Sequence, residues 1–107
     1  MLQERVREQL LHNQEYCDEI LKMFSLFSNK TRFRILCVLK EGDFCVNDIV
    51  EFVSGKHSNI SQQLKMLTYA GYLTKERRER SVIYHLEDEK VRSFIDFLCQ
   101  LFRGTEP

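Results

Sequence analysis

The side chains most suited to chemistry lie between residues 54 and 86, and they begin with a polar helix face. Ile60, Leu64 and Leu67 recur at the spacing of one helical stripe, which predicts a helix over 57–69. The opposite face of that helix carries hydroxyls, an amide and a cation but no acid: Ser58, Ser61, Gln62, Lys65 and Tyr69. Hydroxyl and amide groups hydrogen-bond base edges in a major groove, and lysine pairs with phosphate or guanine. The face predicts a DNA-reading surface; an ordinary solvated helix face is the alternative.

A basic hairpin is predicted directly after this helix. Gly71 suits the end of the helix because glycine readily takes a positive φ. The strand-like runs 72–76 and 81–86 then flank a turn at 77–80. The hairpin carries cations that suit a phosphate backbone: Lys75, Arg77, Arg78 and Arg80. Helix and hairpin together are typical of the recognition helix and the wing (75–82) of a winged helix-turn-helix.

The charge is balanced overall but uneven along the chain. The 107 residues carry 16 Lys and Arg and 16 Asp and Glu, so the formal net charge is zero. Residues 56–80, which begin with Lys56, hold six cations against two acids, whereas residues 1–29 and 81–107 each hold three against five. A basic middle between acidic ends is a local electrostatic footprint that predicts modest non-specific affinity for DNA.

Length and composition limit the classes of protein to consider. One domain over 1–107 is expected, with a small core. The N-terminal segment is charged and has no apolar run, so we expect no signal peptide, no membrane span and a cytoplasmic location. Three scattered histidines, no glycine-rich phosphate loop and no nucleophile–base spacing argue against an enzyme.

The remaining elements place the polar helix in a helix-turn-helix. They are expected in this order: helix 3–27, with a break near 12–13 left open, helix 31–40, a short strand at 43–44 and helix 46–53. A tight turn then joins 46–53 to 57–69. The prediction is a mainly α fold with a small β-hairpin, a winged helix-turn-helix whose DNA-reading part spans about 46–86.

The predicted last helix, about 88–102, is apolar on most of its circumference. Its apolar residues are Val91, Phe94, Ile95, Phe97, Leu98, Cys99, Leu101 and Phe102. A terminal helix cannot bury all of them in so small a domain, so a second copy is expected to cover it, helped by the first helix. A two-fold homodimer would hold two reading helices about 34 Å apart over an inverted repeat.

Five segments, in order, resemble a known family. They are Leu26-Phe-Ser-Asn-Lys-Thr-Arg-Phe-Arg-Ile-Leu-Cys-Val-Leu, Cys45-Val-Asn-Asp-Ile, Ser58-Asn-Ile-Ser-Gln-Gln-Leu-Lys-Met-Leu, Gly71-Tyr-Leu and Ser81-Val-Ile-Tyr-His-Leu. Over about residues 20–102 the chain resembles the ArsR/SmtB family of bacterial repressors. The resemblance implies a homodimeric winged-helix repressor that leaves a double-stranded DNA operator when an inducer changes the dimer.

The same resemblance implies DNA contacts at particular positions. They fall on His57, Ser58, Ser61 and Gln62 and on the basic residues of the wing. Gln62 stands where many members have His, and Lys56 stands where an N-capping Ser is common. Both departures bear on which operator sequence would be read.

The resemblance also implies a signal acting on cysteines. In the thiol- and persulfide-responsive (HlyU/BigR-like) branch, a cysteine in an Ile-Leu-Cys context pairs with one near the end of the last helix. Cys37 matches the first position, and Cys99 lies about one turn before the second, on the same helix face. A disulfide or polysulfide bridge between them would respace the reading helices. Bridging needs close approach and one thiol of lowered pKa; two ordinary buried thiols are the alternative.

A metal-responsive repressor is a further alternative, although no cofactor is the main expectation. The family's thiol site for arsenic or cadmium needs a Cys-Val-Cys run, and the chain has Cys45-Val-Asn instead. Cys45 and Asp48 match a pair used by the zinc-sensing branch, whose other ligands come from an N-terminal arm. Cys17 and His12 are the candidates for that part. The last helix lacks the histidines of the family's other zinc site.

A winged-helix module that binds protein is the most distant alternative. It would share the fold and the dimer. It would differ by showing little salt-dependent affinity for duplex DNA.

Overall fold

The computed structural model describes residues 1–104, without the side chain of Glu15. Its helices and strands follow in the order α1 (Leu2–His12), α2 (Gln14–Phe27), α3 (Lys30–Glu41), β1 (Phe44–Cys45), α4 (Val46–Val53), α5 (His57–Tyr69), β2 (Leu73–Arg78), β3 (Ser81–Leu86) and α6 (Glu89–Arg103). The strands form one antiparallel sheet in the order β1-β3-β2. The predicted winged helix-turn-helix, mainly α with a small hairpin, is confirmed.

The apolar core lies where α3, α4, α5 and α6 meet the sheet. The side chains that carry it come from the inward stripe of each element: Leu26, Ile35, Leu36, Leu39, Ile49, Val53, Ile60, Leu64, Leu67, Leu73, Tyr84, Leu86, Val91 and Ile95. Each contributes about 1.5–3 kcal/mol when fully removed from water. This core therefore fixes the rotation of the helices that contribute side chains to it.

The first predicted helix is two helices. Asn13, with φ −89° and ψ 2°, separates α1 from α2, which settles the break left open near 12–13. No residue of α1 is buried. The radius of gyration is 17.3 Å, whereas a compact chain of this length has about 13 Å. The molecule is thus elongated. No helix in the described part of the chain has the length and apolar character needed to cross a membrane.

Two arginines connect helices to the segments beside them. Arg32 donates from Nε to the Leu26 carbonyl (3.1 Å) and from Nη2 to the Ser25 carbonyl (3.0 Å). These bonds give hydrogen-bond partners to two carbonyl groups in the last turn of α2. Arg92 donates from Nε (3.0 Å) and Nη2 (2.8 Å) to the Leu86 carbonyl and from Nη1 to the Lys40 carbonyl (3.3 Å). Arg92 therefore ties α6 to both β3 and the end of α3.

An ion pair strengthens the contact between α3 and α6. Lys40 Nζ lies 2.6 Å from Asp96 Oδ1. The hydrogen bond to Asp96 raises the pKa of the Lys40 ammonium, which favours its charged form. The end of α3 at residue 40 therefore meets residues 92 and 96 of α6.

The hairpin differs from its prediction in where the turn lies. Strand β2 continues to Arg78, and Arg78 pairs with Ser81, so only residues 79–80 form the turn instead of 77–80. Arg77 is therefore a strand residue paired with Val82. The charged residues are tolerated because β2 is an edge strand that is exposed from Thr74 onward. Consecutive charges reduced the local strand signal.

Candidate nucleic-acid interface

A left-handed residue and a close contact set the angle between α4 and α5. Ser54 ends α4 with φ 58° and ψ 43°, a conformation that reverses the chain at a cost of about 1–2 kcal/mol for a residue other than glycine. Next to it, a Cβ on Gly55 would stand 2.9 Å from Cδ1 of the fully buried Ile60. Glycine at 55 therefore lets the turn approach the first turns of α5.

The predicted reading face of α5 points to solvent. Burial of Ile60, Leu64 and Leu67 on the inner side leaves the other side open. The predicted contact residues Lys56, His57, Ser58, Gln62 and Lys65 are exposed, and Ser61 is half-buried. Helix α5 begins without a side-chain cap and without an acid in its first turn. Nothing negative on this helix end therefore opposes an approaching phosphate.

Two local contacts shape that face. Ser61 Oγ lies 3.4 Å from His57 Nδ1, one turn earlier on the helix. Asn59 donates from Nδ2 to Thr31 Oγ1 at 3.4 Å, which joins the start of α5 to the start of α3. Both contacts are long, so these side chains can exchange them for base or phosphate partners at little cost.

The wing presents cations on both faces of its outer strand. Side chains alternate along a strand, so Lys75 and Arg77 point to one side and Arg78 to the other, all exposed. Arg80 lies in the exposed turn. Arg78 Nη2 is 3.4 Å from Glu76 Oε2, a surface pair that contributes little and does not hold the guanidinium in place.

Two residues of the outer face were not among the predicted contact residues. Tyr69 is 97% exposed, although its place on the polar face was visible in the helical pattern. Met66 is 49% exposed and follows Gln62 by one turn. The helical angle places Met66 beside Gln62 on the outward side as well.

Comparison with known proteins identifies the family. Residues 29–75 match the profile described as bacterial regulatory protein, arsR family. The chain carries an ArsR-family winged helix-turn-helix domain. The biofilm growth-associated repressor of Xylella fastidiosa is 25% identical over 89 residues, which are 83% of this chain and 78% of that protein. The cadmium resistance regulatory protein CadC homolog of Staphylococcus aureus is 31% identical over 80 residues, 73% of this chain and 65% of that protein.

A solved structure shares the fold of this chain. The transcriptional regulator HlyU from Vibrio vulnificus has the same fold, with a TM-score of 0.81 at 24% identity over 88% of this chain and 98% of that chain. By its ArsR-family domain and its similarity to the biofilm growth-associated repressor, the chain is a DNA-binding transcriptional repressor of the ArsR/SmtB type and not an enzyme.

The predicted thiol pair of this ArsR-family chain lies between α3 and α6. Cys37 and Cys99 are free, half-buried and packed against the core. Burial raises the pKa of the Cys37 thiol, and the neighbouring Cys99 raises it further. Both cysteines thus pack against the same core, but Cys37 is not the thiol of lowered pKa that rapid bridging requires. The bridge between them stays a prediction.

The predicted metal ligands come together only in part. Cys45 Sγ and Asp48 Oδ2 are 3.4 Å apart at the start of α4, while Cys17 is exposed on α2. Cys45 occupies the N-cap position without a capping hydrogen bond. In the described part of this ArsR-family chain, no group of three or more His, Cys, Asp or Glu side chains could hold a metal ion.

Gly55→Ala is expected to disturb the reading helix of this ArsR-family chain. The new methyl group overlaps Ile60 Cδ1, so the free energy of unfolding should fall by about 1–3 kcal/mol and operator affinity should fall with it. Urea unfolding and DNA titration measure the two effects.

Ile60→Val supplies the control because it removes the overlapping Cδ1 methyl. The double variant Gly55→Ala, Ile60→Val should recover most of the stability lost in Gly55→Ala alone. The account is wrong if the two losses simply add.

Proposed function

We propose that the chain acts as a homodimer on an inverted-repeat operator, reading bases with α5 and holding phosphates with the wing. A thiol oxidant or a reactive sulfur species acting on Cys37 and Cys99 would release it. One observation carries the DNA part: the exposed outer face of α5 lacks acids and lies beside the exposed cations of the wing.

Base reading is supported by the chemistry of the α5 face. Gln62 carries an amide that can bond two atoms of one adenine, and Lys65 can approach guanine or phosphate. The wing cations make no strong contact within the described part of the chain, so they are available to bind the phosphates of the DNA backbone. Affinity would then come mainly from phosphates and sequence preference from the helix.

A second copy is favoured by the apolar surface outside the core. Exposed apolar side chains concentrate on the first two helices and the last: Leu2, Val6, Leu10, Leu11, Tyr16, Ile20, Leu21, Phe24, Phe97, Leu101 and Phe102. Monomers do not usually expose so large an apolar surface without a partner. On α6 the exposed Phe97 and Leu101 lie opposite the buried Ile95. The helix can thus pack inward and pair outward at once.

The thiol pair occupies a position from which a bridge can act on the dimer. Cys99 follows Ile95 by one turn on the inner face of α6, and Cys37 of α3 packs against the same core. A bond between them would fix the tilt of α6 on α3. Because the outer face of α6 would carry the partner subunit, a changed tilt would respace the two reading helices.

Metal release is the second candidate signal. The 3.4 Å contact between Cys45 and Asp48 favours it, as does similarity to a relative named for cadmium resistance. Two ligands bind a soft ion weakly. This candidate would need further ligands, and the redox proposal needs none.

Gln62→Ala and Arg78→Ala should affect DNA binding differently. Loss of the amide should weaken binding to an operator selected from random duplexes by about 1–3 kcal/mol and flatten the sequence preference. Loss of the guanidinium should weaken binding to all duplexes alike and reduce the salt slope by about one. Fluorescence anisotropy at several salt concentrations measures both.

Gln14→Ala, at an exposed position on α2, is the matched control for the amide and should change nothing. If Gln62→Ala leaves affinity and preference intact, α5 does not read bases. If the wild-type chain shows only weak, salt-insensitive binding to any duplex, the protein-binding module becomes the better account.

Phe97→Glu should break the proposed dimer. Each subunit would lose about 1.5 kcal/mol or more of apolar burial, and a two-fold interface counts the loss twice. The dimer dissociation constant should rise by about 100-fold or more. Sedimentation measures it; Tyr69→Glu, on the α5 face, should stay dimeric. A monomeric wild-type chain contradicts the proposal.

Diamide should link Cys37 to Cys99 and lower operator affinity, with dithiothreitol restoring it. The two thiols give up two protons and two electrons to the N=N bond of diamide. Reaction should be faster at higher pH, because the raised pKa of Cys37 keeps it protonated at neutrality. Peptide mass spectrometry of a Cys17→Ser, Cys45→Ser variant identifies the link.

The same raised pKa sets a stability window. Because the folded-state pKa lies above the unfolded value, the protonated thiol stabilises the fold fully below the ordinary cysteine pKa, and that contribution is lost as pH rises through the folded pKa. Cys37→Ser should remove this alkaline loss of stability.

The redox test also separates the two candidate signals. If Cys37 and Cys99 stay reduced under diamide or tetrasulfide while Zn(II) releases the operator, the metal candidate is favoured.

A further inference from the structure

Helix α3 begins with charges that do not suit its own stability. Its first five residues include Lys30, Arg32 and Arg34, and its first turn has no acid. Acids, not cations, stabilise the start of a helix. Helices α1, α4 and α6 follow that rule with Glu4, Asp48 and Glu89. The cations of α3 therefore need another explanation.

Arg32 is explained by its contacts and the other two cations are not. The guanidinium of Arg32 binds the end of α2. Within residues 1–104, Lys30 and Arg34 make no side-chain hydrogen bond or ion pair, and both are exposed. They lie one turn apart, so they share one face of α3.

That face is continuous with the proposed DNA surface. Thr31, next to Lys30, is bonded to Asn59 in the first turns of α5. Arg34 lines the same surface depression as Ser54, the residue that begins the turn between α4 and α5. The two free cations therefore flank the end of the reading helix that carries Lys56 and His57.

We infer that Lys30 and Arg34 form a second phosphate-binding surface, on α3, that holds the DNA backbone beside the groove occupied by α5. The inference rests on the proposed function and extends the contact area beyond the helix-turn-helix and the wing. Charge complementarity identifies the partner as duplex DNA. Two exposed cations, with no acid in the first turn of α3, adjoin the helix that would occupy the groove, and a strand of phosphates has the complementary charge.

Such contacts would contribute affinity but no sequence preference. Each phosphate neutralised releases condensed counterions and adds about 0.9 to the slope of log affinity against log salt. This surface would therefore raise affinity for all duplexes equally. It would also attract DNA locally, although the formal net charge of the chain is zero.

Lys30→Gln and Arg34→Gln, singly and together, test the inference on the full-length chain. Each should lower affinity for operator and random duplex alike, by about five-fold near 0.15 M salt, and reduce the salt slope by about one. The double variant should lose about two. Lys90→Gln is the matched control. Lys90 is exposed at the start of α6, at the opposite end of β3 from the wing turn.

Thermal unfolding of the same variants supplies an independent test. If the cations serve DNA, removing them from the start of α3 leaves the melting temperature unchanged or raises it. A lower melting temperature with an unchanged salt slope would mean that they serve the fold, and the inference would be wrong. An unchanged slope in these variants, while Gln62→Ala and Arg78→Ala behave as expected, overturns this surface alone. If those two variants also have no effect, the proposed function itself fails.

Discussion

The burial of one apolar stripe on α5 governs the orientation of the DNA-facing surface. Ile60, Leu64 and Leu67 are at most 2% exposed, and each contributes about 1.5–3 kcal/mol to keeping that side inward. No exposed polar contact on the outer side approaches this magnitude. The core therefore fixes the rotation of the helix, and residues such as Ser58 and Gln62 are free to be matched to a partner.

Local patterns explain why so much of this region was predictable. The bounds of α5 and the positive φ of Gly71 (91°) agree with the sequence pattern because both depend on neighbours within one turn. The tip of the wing was placed wrongly because Arg77 and Arg78 become strand residues only through pairing with β3. That pairing joins two segments of the chain, whereas a run of charged residues has a low local propensity to form a strand. The break at Asn13 could be suspected but not decided from the sequence.

Contacts between distant segments account for what the sequence leaves open around Cys37 and Cys99, the proposed sensing residues. The contact between α3 and α6 includes the hydrogen bond from Arg92 to the Lys40 carbonyl and the Lys40–Asp96 ion pair. The spacing of these residues in the sequence does not predict these contacts. Resemblance to a family aligned Cys37 with Cys99. Only the packed structure reveals that burial raises the pKa of Cys37, which makes it a slow thiol at neutral pH.

Helix α3 connects the proposed signal to the proposed DNA surface by two routes. Its start touches α5 through Thr31 and Asn59, and Cys37 lies six residues later, about 9 Å along the axis. The other route runs through α6, whose outer face is the candidate dimer surface. A bridge between Cys37 and Cys99 lowers operator affinity only if the DNA-bound arrangement strains that bridge. A hundred-fold release requires about 2.7 kcal/mol of such strain. Divided between two subunits, that strain is about 1.4 kcal/mol in each, which is less than the contribution of one buried core side chain.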